Sequence, residues 1–199
     1  MPRDSRRNYA RERIAHLAAR LMAEDGIEDH ALAKRKAARQ IGAAGLQQLP
    51  DNGEIDIALK SYRMLYCEGY ADELRELRRR ALAVMDGLAR FNPHLVGPVL
   101  NGSAGRFATI QLQLFVDNTK DVEIELINCG VNYRNGASRL YCGKLSFEVP
   151  TLAFVEDGVD VCLILLSSRD LRCMVKSDMD GKPVERASRA AVAALVAAE

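Results

Sequence analysis

Over the first ninety positions the apolar residues recur at helical spacing. Ile14, Leu17, Ala18, Leu21 and Met22 stand at i, i+3, i+4, i+7 and i+8, which predicts an amphipathic helix over about residues 8–25, stopped at Gly26. A second helix is predicted over about 28–41, with Gly42 after it, and a third over about 53–67, where Ile55, Leu59, Tyr62, Leu65 and Tyr66 share a face. The connector "GAAGLQQLPDNG" between them is marked by its Gly, Pro and Asn-Gly content. The fourth helix, about 71–91, carries Leu74, Leu77, Ala81, Leu82, Met85, Leu88 and Ala89 on one face, with Asp72 and Glu73 in the first turn where the helix dipole favours acids.

Near Phe91 the texture changes to β. "LVGPVL" (95–100) reads as a short buried strand, and "TIQLQLFVD" (109–117) alternates Ile110, Leu112, Leu114 and Val116 with Gln111, Gln113, Phe115 and Asp117. "NTKDVEIELINCG" reads as a helix capped by Asn118 or Thr119 and closed by Gly130. "VNYR" and "SRLYCGKLSFEV" flank "NGA", which is hairpin chemistry. "TLAFV" and "VDVCLILLS" around "EDG" predict another strand pair, and the segment from Val184 to the last residue a terminal helix. The fold class that follows is α+β, with a helical region over 1–69 and a mixed sheet with flanking helices over 70–199.

Composition narrows the class. An apolar share of 48% in 199 residues is enough to bury a core. No apolar run approaches the roughly 18 residues of a membrane span, and the Arg-rich start has no secretory h-region, so the chain reads as cytoplasmic with no membrane partner. The five cysteines (Cys67, Cys129, Cys142, Cys162, Cys173) are widely spaced, lack a CxxC pair and suit structural thiols in a reducing compartment. His16, His30 and His94 are far apart, and no metal site is expected. Net charge is +1; residues 1–92 hold 17 Lys/Arg against 14 Asp/Glu, a bias too mild for a committed nucleic-acid binder. With Arg3, Arg6, Arg7, Arg11 and Arg13 ahead of the first apolar stripe, any nucleic-acid contact is expected to be weak and not sequence-specific. Nothing in the sequence sets an oligomeric state.

The candidate chemistry lies in "LVGPVLNGSAGRFATIQLQLFVD" (95–117). A helix, a strand ending at Gly102-Ser103, a short turn, and a strand with same-face polar residues at i and i+2 resemble the core of the polymerase-beta-type nucleotidyltransferase superfamily. The resemblance covers about residues 70–168. It implies that the Gly102-Ser103 turn holds phosphates through backbone N–H groups and the Ser103 hydroxyl, with Arg106 nearby. It also implies that an i, i+2 carboxylate pair and a third carboxylate hold two Mg²⁺ ions, since alternate strand residues point the same way. Here the pair falls on Gln111 and Gln113, with Asp160 as the third position and Glu148 as a weaker choice. Two neutral amides supply no charge for hard divalent cations, so the resemblance implies a catalytically degenerate protein that binds a nucleotide or other phosphate ligand. Mg²⁺ is a cofactor only of an active member.

Other readings of the same residues stand open. "NGS" is also an ordinary turn, Gln111 and Gln113 also suit the solvated face of an edge strand, and "AKRKAARQ" also suits a solvated basic face. His94 beside Pro93 reads as structural. A rival resemblance joins residues 11–42 to the tetracycline-repressor family of helix-turn-helix regulators, although "AAGLQQLPDNG" stands where a recognition helix would follow. A P-loop and a G-x-S-x-G elbow are both absent from the sequence.

Overall fold

The computed structural model describes residues 2–27, 29–42, 49–143, 145–177 and 182–198, and the side chains from residue 8 onward within that set. The side chains of Arg3, Arg6 and Arg7, and most of the "GAAGLQQLPDNG" connector, lie outside the described residues. Two compact units follow one another, Met1–Tyr70 and Ala71–Glu199.

The first unit holds α1 (Pro2–Glu24), α2 (His30–Gln40) and α3 (Asn52–Tyr66). Ile14, Ala18, Met22, Ala33, Ala37, Ile55 and Leu59 meet in its core, where the many alanines let helices approach closely. Asp29 caps α2 by accepting from the Ala31 N–H at 2.7 Å. At α3, Asp51 accepts from the Glu54 N–H at 2.8 Å and Glu54 from the Asp51 N–H at 2.7 Å, a reciprocal capping box. Arg11 of α1 grips the same Glu54 carboxylate with Nε at 2.9 Å and Nη2 at 2.6 Å.

The second unit contains α4 (Tyr70–Gly87), β1 (His94–Val96), α5 (Gly97–Asn101), β2 (Ile110–Phe115), α6 (Thr119–Asn128), β3 (Arg134–Cys142), β4 (Leu145–Glu156), β5 (Val159–Leu166), β6 (Ala187–Ser188) and α7 (Arg189–Ala198). Among the described residues the strands form one sheet in the order β3-β4-β5-β2-β1-β6. Neighbours pair antiparallel except β2 and β5, which run parallel. The fold is thus α+β with its helical region first. No helix among the described residues is long and apolar enough to cross a membrane.

Several sequence expectations change. Residues 95–100 are not one strand: β1 ends at Val96, and Gly97, at φ +72°, turns the chain into the five-residue α5 with Pro98 in its first turn. Proline fits there because a first-turn N–H has no partner to lose. The "NGA" segment is not a hairpin turn either. β3 runs straight through it, pairing with β4 from Arg134↔Ala153 to Cys142↔Leu145, and the reversal comes at Gly143 (φ +63°). Gly136 is there for packing, since a Cβ on it would sit 2.8 Å from Thr151 Oγ1. The "EDG" turn stands as expected, with Asp157 and Gly158 both at positive φ between β4 and β5. The last helix starts at Arg189 rather than Val184, because Ala187 and Ser188 first pair with β1. Finally, β2 is no edge strand: β1 and β5 flank it. Of the cysteines, Cys67, Cys129 and Cys142 are exposed, and Cys162 and Cys173 are half-buried.

Candidate functional site

The register places the candidate residues. Gln111 pairs across with Val96 and Cys162, and Gln113 with His94 and Ile164. Cross-strand partners share a face, so Gln111, Gln113 and Phe115 lie on the same side as Cys162, Ile164 and Leu166. Asp160, two residues before Cys162 on β5, is on that side too, level with the residue that precedes Ile110. Glu148 falls on the other side, because Val155 is the β4 residue opposite Asp160 and Glu148 has the opposite parity. Glu148 also pairs with Arg139 at 3.3 Å.

The surroundings of the three positions differ. Asp160 is exposed at the start of β5. Gln111 is half-buried, with its amide lying against Gly97: a Cβ there would come within 2.7 Å of Gln111 Oε1. Gln113 has no exposed surface, and neither Oε1 nor Nε2 has a hydrogen-bond partner. Val96, Phe115, Leu140, Val149, Ile164, Leu166 and Val175 form the apolar cluster on this side of the sheet.

The Gly-Ser turn closes α5. Gly102, at φ +83°, is its left-handed C-cap, and the N–H groups of Gly102 and Ala104 both donate to the Pro98 carbonyl, at 3.0 and 3.1 Å. The Ser103 N–H donates to Asn101 Oδ1 at 2.8 Å, and the Ser103 side chain is buried. The backbone donors of the turn are therefore engaged within the turn. Arg106, in contrast, is exposed beside Phe107, its guanidinium 5.8 Å from the ring centre, and Phe107 is 87% exposed.

Sequence reasoning missed Arg78. It is 4% exposed on α4, donating from Nε to the Val99 carbonyl at 3.0 Å and from Nη2 to the Leu100 carbonyl at 2.8 Å. These are among the last carbonyls of α5, where a cation is favoured, so Arg78 holds the turn from behind. The signal was available: Leu74, Leu77, Arg78 and Ala81 stand at i, i+3, i+4 and i+7, which puts a charge inside the apolar stripe. His94 keeps a structural part, its Nδ1–H donating to the Asn92 carbonyl at 2.9 Å and its ring edge-on to Phe115 at 5.4 Å.

Metal chemistry finds no donor set. Among the described residues no group of three or more His, Cys, Asp or Glu stands close enough to hold an ion, and the Gln111, Gln113 and Asp160 face offers a single carboxylate. A bridging Mg²⁺ pair does not fit those residues. A cavity of about 550 Å³ opens in the helical unit between α1 and α3; Arg11 and Glu54 on its wall bond to each other.

Compared with protein-family models, curated proteins and solved structures, the chain matches none.

Proposed function

We propose that this chain is a nucleotidyltransferase-like protein without nucleotidyl-transfer chemistry, binding a nucleotide or another phosphate-bearing ligand beside the Gly102-Ser103 turn. The observation that carries this reading is the shared face of Gln111, Gln113 and Asp160 on the parallel pair β2 and β5, with the turn on the path into β2. Period-2 geometry aims both β2 positions at one place, and amides occupy the two that would need charge. With the turn's own N–H groups engaged, Arg106 is the group left to meet a phosphate, and the exposed Phe107 ring beside it is a surface on which a base stacks.

Titration calorimetry with a nucleoside triphosphate, with and without Mg²⁺, tests the proposal. The expected result is weak binding that Mg²⁺ does not strengthen and that Arg106→Ala and Phe107→Ala each abolish. The double variant Gln111→Asp, Gln113→Asp restores charge. Because position 113 is fully buried, a bare carboxylate there is unstable, so Mg²⁺ should raise the Tm of this variant and leave the parent's unchanged. Tight Mg²⁺-dependent binding or nucleotidyl transfer by the parent would overturn the reading.

A repressor-like reading of the first unit has less support. Among the described residues α2 ends at Gln40 and the next helix, α3, starts at Asn52, farther along the chain than the three- or four-residue turn of a helix-turn-helix places its second helix.

A further inference from the structure

The third helix carries more apolar surface than its own unit covers. Ile55, Ala58 and Leu59 of α3 lie in the core of the helical unit, as one stripe of an amphipathic helix should. Ile57, Met64 and Leu65 stand on a second stripe, at i, i+7 and i+8 with Ser61 at i+4, and are 66%, 55% and 76% exposed. Tyr66, which the helical period assigns to the core stripe, is exposed as well. A helix that is apolar on two sides belongs under cover on both.

The second stripe borders a groove that is already formed. Arg11 and Glu54 join α1 to α3 near the starts of both helices, and Tyr62 donates to Glu24 Oε1 at 2.5 Å near their ends. The two helices therefore run side by side in the same sense, pinned at both ends. Between them opens the cavity of about 550 Å³, with Ala15, Ile57, Ala58 and Ser61 among its lining and Glu12 and His16 on its α1 side. Ala15 and Ala58 are small, which leaves the groove room for a ridge of larger side chains. Lys60 is exposed on α3 outside the cavity lining. Three residues after Ile57 and four before Met64, it flanks the stripe on the side away from α1. From one side to the other the surface runs acid (Glu12), groove, apolar ridge, base (Lys60).

We infer that this surface is the interface of a two-fold dimer of the chain, the ridge of each copy lying against the ridge and groove of the other. The surface is self-complementary. A two-fold axis through the middle of the stripe exchanges its sides and its ends, so Lys60 of each copy comes over the Glu12 side of the other, and Ile57 meets the Met64 and Leu65 end. Ser61, at the middle of the stripe, is the small residue that lets the two helices approach. Its size fits too. Ile57, Met64, Leu65 and Tyr66 leave on the order of 500 Å² open per copy, in the upper range of what a monomer exposes in one patch. Counted from both copies that is about 1,000 Å², the area at which specific interfaces begin.

The test is sedimentation equilibrium of the full chain with reductant present, so that the exposed cysteines cannot link copies. At about 100 µM, where an interface of this size holds, the expected mass is twice the 22.0 kDa of one chain. Ile57→Glu and Leu65→Glu should each raise the dissociation constant by roughly thirtyfold or more, since a substitution at a two-fold contact acts twice. Both sites are exposed, so helix content by circular dichroism should stay at the parent's value. Ile124→Glu, at an exposed apolar site on α6, should leave the dimer unchanged. Lys60→Glu alone should weaken the dimer roughly fivefold, Glu12→Lys likewise, and the two together should restore it. A chain monomeric at that concentration would overturn the proposal and leave the groove to a helix of another protein. A dimer that survives Ile57→Glu, or that dissociates with Ile124→Glu, would overturn it by placing the contact elsewhere. A double charge reversal no tighter than the single ones would overturn the two-fold arrangement.

Discussion

A fully buried amide with no hydrogen-bond partner costs the folded state about 1–3 kcal/mol, and Gln113 holds both its polar atoms in that position. Leucine has nearly the same volume and needs no partner. Gln113→Leu is therefore expected to raise stability by about 1–2 kcal/mol, read as a higher urea midpoint at unchanged slope; a lower midpoint would mean that the amide serves the fold. Gly97 gives the opposite case. Any side chain there must adopt φ +72° and share space with Gln111 Oε1, so Gly97→Ala should destabilise by about 1–3 kcal/mol. Only the collision is relieved by Gln111→Ala, so a double-mutant cycle should recover part of the loss and leave the backbone strain. Neither site was fully legible. The alternation around Gln111 and Gln113 sets which side they face, and that much could be read. Whether the side is wet depends on how many strands and segments lie beside β2, which a period of two does not encode.

Helices could be read because their signals are local. The stripe at Ile14, Leu17, Leu21 and the cap at Asp51 with Glu54 sit within a few residues of what they organise. Asn135-Gly136 has turn chemistry, yet nine register pairs with β4 hold β3 straight through it; partners far along the chain outvote a local preference. The same contrast governs Glu54, which caps its own helix locally and joins α1 to α3 through Arg11. The hydrogen bond from Arg11 holds its carboxyl below the ordinary value of 4.5. A carboxyl whose folded value lies below its unfolded one adds stability above the unfolded value and loses it as pH falls through the folded one. At pH 7 Glu54→Ala should cost about 1–2 kcal/mol through cap and pair together, and Arg11→Ala about half that or less. As pH falls from 4.5 through the lowered folded value, both effects should shrink. Hydrogen exchange of α1 and α3 amides is the measurement, because a chain of two units need not unfold in one step.

At the scale of the whole chain, the basic bias of the first half weakens when its pairings are counted. Arg11 is held by Glu54, Arg20 by Glu24, Lys36 by Asp25 and Arg80 by Glu76. Each pair leaves less charge to replace the counterions of a nucleic acid, and affinity for phosphates scales with the number so replaced. The basic run Lys34–Arg39 lies on α2, and the next helix among the described residues, α3, starts at Asn52. Binding to duplex DNA is therefore expected to be weak at low salt, equal for unrelated sequences, and lost by about 200 mM salt, where a purely electrostatic contact fails. Fluorescence anisotropy with two labelled duplexes of different sequence, titrated at about 50 and 200 mM salt, reads both the preference and the slope. Binding that survives the higher salt and distinguishes the two duplexes would need side chains at base edges. It would return the first unit to the repressor-like reading, and would separate the function of the helical unit from that of the Gln111 and Gln113 face.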